Sequence, residues 1–260
     1  MIDSLTPAAR LPQTDPDQAQ AVAQAEGQAA LALLRTLGAD DWARPTDCTE
    51  WDVRALVAQC QDGIHLASMA RRELLSRRRY PDKPPVDAYM AVGVEDHRAA
   101  SGPQLVERFA RLWPRSARAR RRRPTVLRRI TLDPGIPGQP RWRLDYVWDV
   151  IFNRDLWMHR VDLARATGRP LVLGDHDRQI VAQVVRDLAR AWPPVPVALE
   201  LTGPAGGGWL LGSGDPVAVV RVEAVAYMRA LSGRDDEVAL ELVSGQASAL
   251  TPIRQARVVF

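Results

Sequence analysis

Prolines punctuate this chain, and the spacing of apolar residues between them changes once, near Pro170. Before that point apolar side chains recur at helical intervals; beyond it they alternate, as in a half-buried strand. The switch predicts a helical region followed by a mixed one. Residues 1–14 read as a loose tail. Asp15-Pro16 opens a first helix, with Asp at the cap, Pro at the first helical position and Gln18 at capping-box spacing. That helix continues through Ala21 to Leu37, and Gly38 stops it. Pro45 forces a loop, and Thr49 with Asp52 repeats the capping-box spacing ahead of a long second helix from Trp51 to Arg78. Pro81, Pro84 and Pro85 end it and open a linker; a third helix spans Ser101 to Arg122. Pro124, Pro134, Pro137 and Pro140 make a long loop before a fourth helix from Asp145 to Thr167, closed by Gly168. Helices with these stripes predict an antiparallel bundle over residues 15–170, with Leu33, Leu37, Leu56, Leu66, Leu105, Phe109, Leu112, Val147, Ile151 and Met158 in its core.

Residues 171–260 predict a small α+β domain. Asp175 to Trp192 reads as a helix, and Val195, Val197, Leu199 and Leu201 share one face of a strand. GPAGGGWLLGSGD supplies a turn and a short strand, PVAVVRV a further strand, and Glu223 to Gly233 another helix. GPAGGG lacks the Lys-Ser/Thr and the strand-loop-helix setting of a phosphate loop, so it reads as a hairpin turn.

Composition narrows the function classes. The chain is 46% hydrophobic and 25% charged, as a globular protein with a core requires. No run of apolar residues is long enough for a membrane helix, and the first residues carry no secretory pattern, so a cytoplasmic protein without a membrane partner is expected. Two cysteines, Cys48 and Cys60, stand outside any metal-ligand spacing and read as free thiols. The net charge is +4, but only Lys83 among 35 basic residues is lysine, and acids are interspersed, so nucleic acid is not an expected partner. The run Arg115 to Arg129 reads as a solvated helix end, with an anion site as the alternative.

The stretch FNRDLWMHRVDLARATGR carries the chemistry. Asp155 and His159, four apart on a helix, share one face and can meet one ion; Asp162 can hydrogen-bond the second imidazole nitrogen and fix its tautomer. Arg154 and Arg160 flank the pair. An amphipathic helix with an i,i+4 Asp–His ion pair fits the same spacing, and a metal needs a third ligand from elsewhere.

Three motifs add a resemblance. RDLWMHRVDLARATGR, WARPTDCTEWDVRALVA, and LELTGPAGGGW with AVAYMRALSGR are similar to stretches of the mycothiol-dependent maleylpyruvate isomerase family. The resemblance implies a DinB-like antiparallel four-helix bundle followed by a small α+β domain. It also implies a divalent metal, zinc by preference, and mycothiol as cofactors. In that family the segment matching LVA is followed by a histidine ligand; here Gln59 stands there, and a carboxamide binds zinc far more weakly than imidazole. The implied ligand set is Gln59, Asp155 and His159. His65, six residues beyond Gln59, points about 120° away and is a poor substitute. His97 and His176 read as surface residues.

The expected activity is isomerisation or S-transfer on a small electrophilic, carboxylate-bearing metabolite. Mycothiol would be the nucleophile, Arg154 or Arg160 would hold the carboxylate, and Asp162 would assist. The alternative is a metal-free, repurposed scaffold in which Trp51, Trp148 and Trp157 line an apolar pocket or pack a core.

Overall fold

The computed structural model describes residues 5–60, 66–235 and 237–260, and side chains from residue 71 onward in the second of these stretches. The chain divides into two compact units: Asp15–Leu171, and Met1–Thr14 together with Val172–Phe260. No helix among the described residues is long and apolar enough to cross a membrane.

The first unit is helical. Helix α1 (Pro16–Leu34) begins where Asp15 accepts hydrogen bonds from the backbone N–H groups of Asp17 and Gln18, both at 2.9 Å. Helix α2 (Val53–Gln59) is capped by Asp52, whose carboxylate accepts from Ala55 N at 2.7 Å; Asp52, not Thr49, is the cap. The long second helix expected over Trp51–Arg78 is instead two described pieces, α2 and α3 (Leu66–Arg79). The expected linker holds a further helix, α4 (Pro85–Asp96), because Pro85 sits at a first-turn position, where its missing N–H costs nothing. Leu66 and His65 lie outside the described side chains.

Helix α5 (Gly102–Arg121) starts with a complete capping box between Ser101 and Gln104. A short α6 (Thr125–Arg128) and a two-strand ladder, β2 (Thr131–Leu132) with β3 (Trp142–Arg143), occupy the expected long loop. The last helix of the unit is continuous but uneven: α7 (Leu144–Tyr146), a π-helical turn (Val147–Ile151), then α8 (Phe152–Thr167). Such widened turns recur at functional sites. Gly168, at φ 66°, ends α8 in the left-handed conformation that a Cβ disfavours. The core joins α1, α2, α5 and α8 through Leu33, Leu56, Leu105, Phe109, Leu156 and Leu163.

In the second unit, a five-stranded mixed sheet runs in the order β1 (Thr6–Pro7), β5 (Gly207–Leu211), β4 (Val197–Thr202), β6 (Ala218–Glu223), β7 (Glu241–Gly245). Helices α9 (Asp175–Arg190) and α10 (Ala224–Leu231) pack against it, and α11 (Leu250–Gln255) follows. Residues 5–14 are not a loose tail. Thr6 and Pro7 pair in parallel with Trp209 and Leu210, at a sheet edge where a proline's missing donor is tolerated. Helix α9 clips the segment that follows: Gln183 accepts from Thr14 N (3.3 Å) and donates to Pro12 O (3.0 Å), and Arg186 donates to Leu11 O (3.2 Å).

Candidate functional site

The period of α8 stacks Asp155, His159 and Asp162 along one side of the helix. His159 is buried. Its Nε2 lies 3.2 Å from Asp155 Oδ1 and its Nδ1 3.3 Å from Asp162 Oδ2, so each ring nitrogen faces a carboxylate. Burial alone pushes the imidazole pKa down, but the charge of Asp155 and hydrogen bonds to Asp155, Asp162 and Cys48 hold it well above the ordinary value. Access grades along the row: the Asp162 side chain is 0% exposed, that of His159 7% and that of Asp155 24%. Cys48 closes the inner end, its thiol donating to Asp162 Oδ2 at 3.5 Å and lying 3.9 Å from His159 Nδ1. The Trp51 ring lies 6.3 Å from the imidazole, tilted by 59°.

Asp155 opens into a cleft that Gln59, Cys60, Arg72, Tyr89, Phe109, Trp113, Arg120 and Phe152 help to line. Gln59 reaches it from the end of α2, its amide donating to Cys60 Sγ at 3.2 Å. The Cys60 thiol donates to Leu56 O at 3.3 Å. Burial, with Asp155 and Cys48 adding to it and His159 and Arg72 opposing, pushes that thiol up to about 12, so Cys60 stays protonated at neutral pH.

Arg72 and Arg120 bring positive charge to the same cleft. Arg120 is 3% exposed and donates from Nη1 to Trp148 O, in the π-helical turn, at 3.2 Å. Its Cζ lies 5.2 Å from the Trp113 ring centre and 5.4 Å from that of Phe152. Among the described residues no acceptor meets its Nε or Nη2. Burial pushes the guanidinium down to about 10, with Asp149 opposing, and it remains a cation at neutral pH. Trp113 is held by a hydrogen bond from Nε1 to Ala23 O at 2.6 Å. It can sit there because residue 27 is glycine; a Cβ on Gly27 would come within 2.0 Å of the indole.

Residues 23–164, more than half of the chain, match the mycothiol maleylpyruvate isomerase N-terminal domain family. The chain belongs to this family. Two solved structures share its fold, crystal structures of the mycothiol-dependent maleylpyruvate isomerase and of its histidine-to-alanine mutant. Each is 14% identical, with a TM-score of 0.57 over 94% of this chain and 98% of the other. Among curated proteins no sequence matches.

Within this family frame the residues singled out from sequence divide. Gln59 and Asp155 line one cleft and Asp155 touches His159, which does not itself line it; Asp162 faces the second imidazole nitrogen. Arg160 is not among the side chains that line the cleft. It is locked to Glu26 in a buried two-pronged pair, Nε–Oε1 2.7 Å and Nη2–Oε2 2.9 Å. Arg154 is also buried and is not among the side chains that line the cleft. His97 is buried rather than on the surface, with Nδ1 2.9 Å from Gly93 O, and His176 is half-buried beside Asp177. Trp148 and Trp157 are fully enclosed and Trp51 stands by His159, so the cleft's indole is Trp113 instead.

Arg115–Arg129 is not simply a solvated helix end, since Arg120 and Arg128 are buried in it and Arg128 pairs with the buried Asp149. Sequence reasoning missed Arg72 and Arg120. A signal for Arg120 existed: it continues the buried stripe of Leu105, Phe109 and Ser116 on α5, where a solvent-facing arginine does not belong.

Around His159, two donor sets could hold a cation. On the Nδ1 side, Cys48, His159 and Asp162 bring ligand atoms within 4.8 Å of one another, but none of them lines the cleft, so that site would be closed to substrate. On the Nε2 side, Asp155 and His159 are good donors for a divalent cation, Asp155 faces the cleft, and Gln59 adds a weak carboxamide. Asp155 and His159 are the donors on this side whose chemistry suits a divalent metal.

Proposed function

We propose that this chain is a metal- and mycothiol-dependent isomerase or S-transferase acting on a small electrophilic, carboxylate-bearing metabolite. One observation carries the reading: Gln59 and the Asp155 that pairs with His159 line one cleft in a chain of the maleylpyruvate isomerase family, while Asp162 backs the imidazole from behind. When bound, the cation would lower the proton affinity of a coordinated thiol, and mycothiol would supply that thiol for reversible addition to an activated double bond.

The chain's own residues have definite tasks in this scheme. Asp155 and His159 Nε2 would hold the cation, with Gln59 as the third and weakest ligand. Asp162 would keep the proton on Nδ1 and so leave Nε2 as the donor. The apolar walls, Phe109, Phe152 and Leu156 among them, exclude water from the reacting centre. Cys60, protonated at neutral pH, would not compete as the nucleophile.

The test is zinc content after equilibration, for wild type, Asp155→Ala and His159→Ala. Wild type should retain zinc and both variants should lose it. Equally low zinc in all three would remove the metal from the reading. Gln59 favours a second reading, a repurposed metal-free scaffold, because its amide already donates to Cys60. Gln59→His separates the two. A gain in zinc affinity larger than the roughly 10–100-fold typical of outer-shell partners supports a weakened metal site. No gain supports the repurposed scaffold.

A further inference from the structure

Among the described residues that line the cleft, Arg120 is a buried cation and Asp155 the one carboxylate. Asp155 is already engaged by His159 at 3.2 Å. Arg128, also buried, has the carboxylate of Asp149, whereas among the described residues Arg120 meets the carbonyl of Trp148 and no carboxylate. Leaving buried guanidinium N–H groups without acceptors is costly, and folded proteins rarely do so without a use. The Nε and Nη2 of Arg120 form one side of its planar fork, the pair that grips both oxygens of a carboxylate at once. The rings of Trp113 and Phe152, 5.2 Å and 5.4 Å from its Cζ, hold the guanidinium by cation–π contact.

We infer that Arg120 is the carboxylate-binding residue of this cleft and selects a ligand with one carboxylate and an apolar or unsaturated body. Phe109, Leu112, Phe152 and Leu156 supply the apolar wall for that body. Phe152, whose ring the guanidinium meets, lies three residues before Asp155 on α8, and Arg120, Phe152 and Asp155 line one cleft. A carboxylate held at Arg120 would leave the far end of a short ligand facing Asp155 and His159. The inference deepens the proposed function and rests on the same cleft, but it needs neither metal nor thiol to be tested.

The experiment is calorimetric titration of the chelator-stripped, thiol-free protein with benzoate and with its neutral isostere, benzamide. Wild type should bind benzoate at least about tenfold more tightly, the lower range for hydrogen bonds to a charged group. Arg120→Gln should abolish the preference, and Arg120→Lys should keep only part of it, because an ammonium is a point charge without the fork. Should Arg120→Gln not fold, Ser116→Asp decides. Ser116 lines the cleft one turn before Arg120, and a carboxylate there would occupy the guanidinium from within the chain and remove the preference. No benzoate preference in wild type, or a preference that survives Arg120→Gln or Ser116→Asp, overturns the inference. Loss of zinc binding in wild type with an intact benzoate preference would instead retire the metal-dependent reading and leave the carboxylate site standing.

Discussion

Helix α8 carries two buried ionic clusters on different faces, and they differ in how completely they are satisfied. Arg160 and Glu26 exchange two hydrogen bonds and are both sealed from solvent. About 100° around the helix, His159 is held between two carboxylates, one fully enclosed and one opening to a cleft. The first arrangement is closed to solvent and pairs opposite charges one to one. The second has a gradient of access that ends at a polar group facing open space. Arg128 and Arg120 repeat the contrast near α5, one paired with an aspartate and the other with two N–H groups that meet no acceptor among the described residues. Burial of charge is therefore not itself the mark of a site here; incomplete pairing beside a cavity is.

The contrast can be broken by substitution. The largest effect is expected at the closed cluster: Glu26→Ala leaves a buried guanidinium without its carboxylate and should cost about 3–5 kcal/mol in urea unfolding. Asp155→Ala, at the open end of the other cluster, should cost clearly less, and equal losses would erase the distinction.

A middle-sized effect is expected at the enclosed carboxylate. Asp162→Asn should weaken zinc binding by roughly 10–100-fold, read by competition with a chromophoric chelator. Unchanged affinity would mean that Asp162 serves the fold and not the imidazole.

The smallest effect belongs to an exposed pair on the same helix. Arg165 meets Asp47 at 3.1 Å with 55% of its side chain exposed, and Arg165→Ala should change stability by about 0–1 kcal/mol by the same urea measurement. A loss comparable to that of Glu26→Ala would show that pairing geometry, rather than burial, sets the scale.

Local signals were readable before any coordinates. Asp15-Pro16, Ser101 with Gln104, and Gly168 mark helix ends through interactions within a few residues, so their patterns in the chain and their geometry agree. The four-apart spacing of Asp155 and His159, and the further three to Asp162, likewise follow from helical periodicity alone. Reading failed where a distant partner decides. Pro7 gives no hint of a strand, because its pairing partner Leu210 is some two hundred residues away in the chain. The run Trp51–Arg78 carries an unbroken helical pattern, yet α2 ends at Gln59.

Sequence by itself determined the helical first region, the mixed second region, the row of ionisable groups on α8 and the family to which the chain belongs. Tertiary structure alone decided which arginine is available. Arg154, Arg160, Arg120 and Arg128 are the same residue type in similarly basic surroundings, and nothing local distinguishes them. Their roles depend on which acceptor another part of the chain delivers: Glu26 from α1 for Arg160, Asp149 for Arg128, and, among the described residues, a backbone carbonyl for Arg120. Hydrogen-bond satisfaction is a property of packed neighbours, and neighbours across a helical core are not adjacent in sequence.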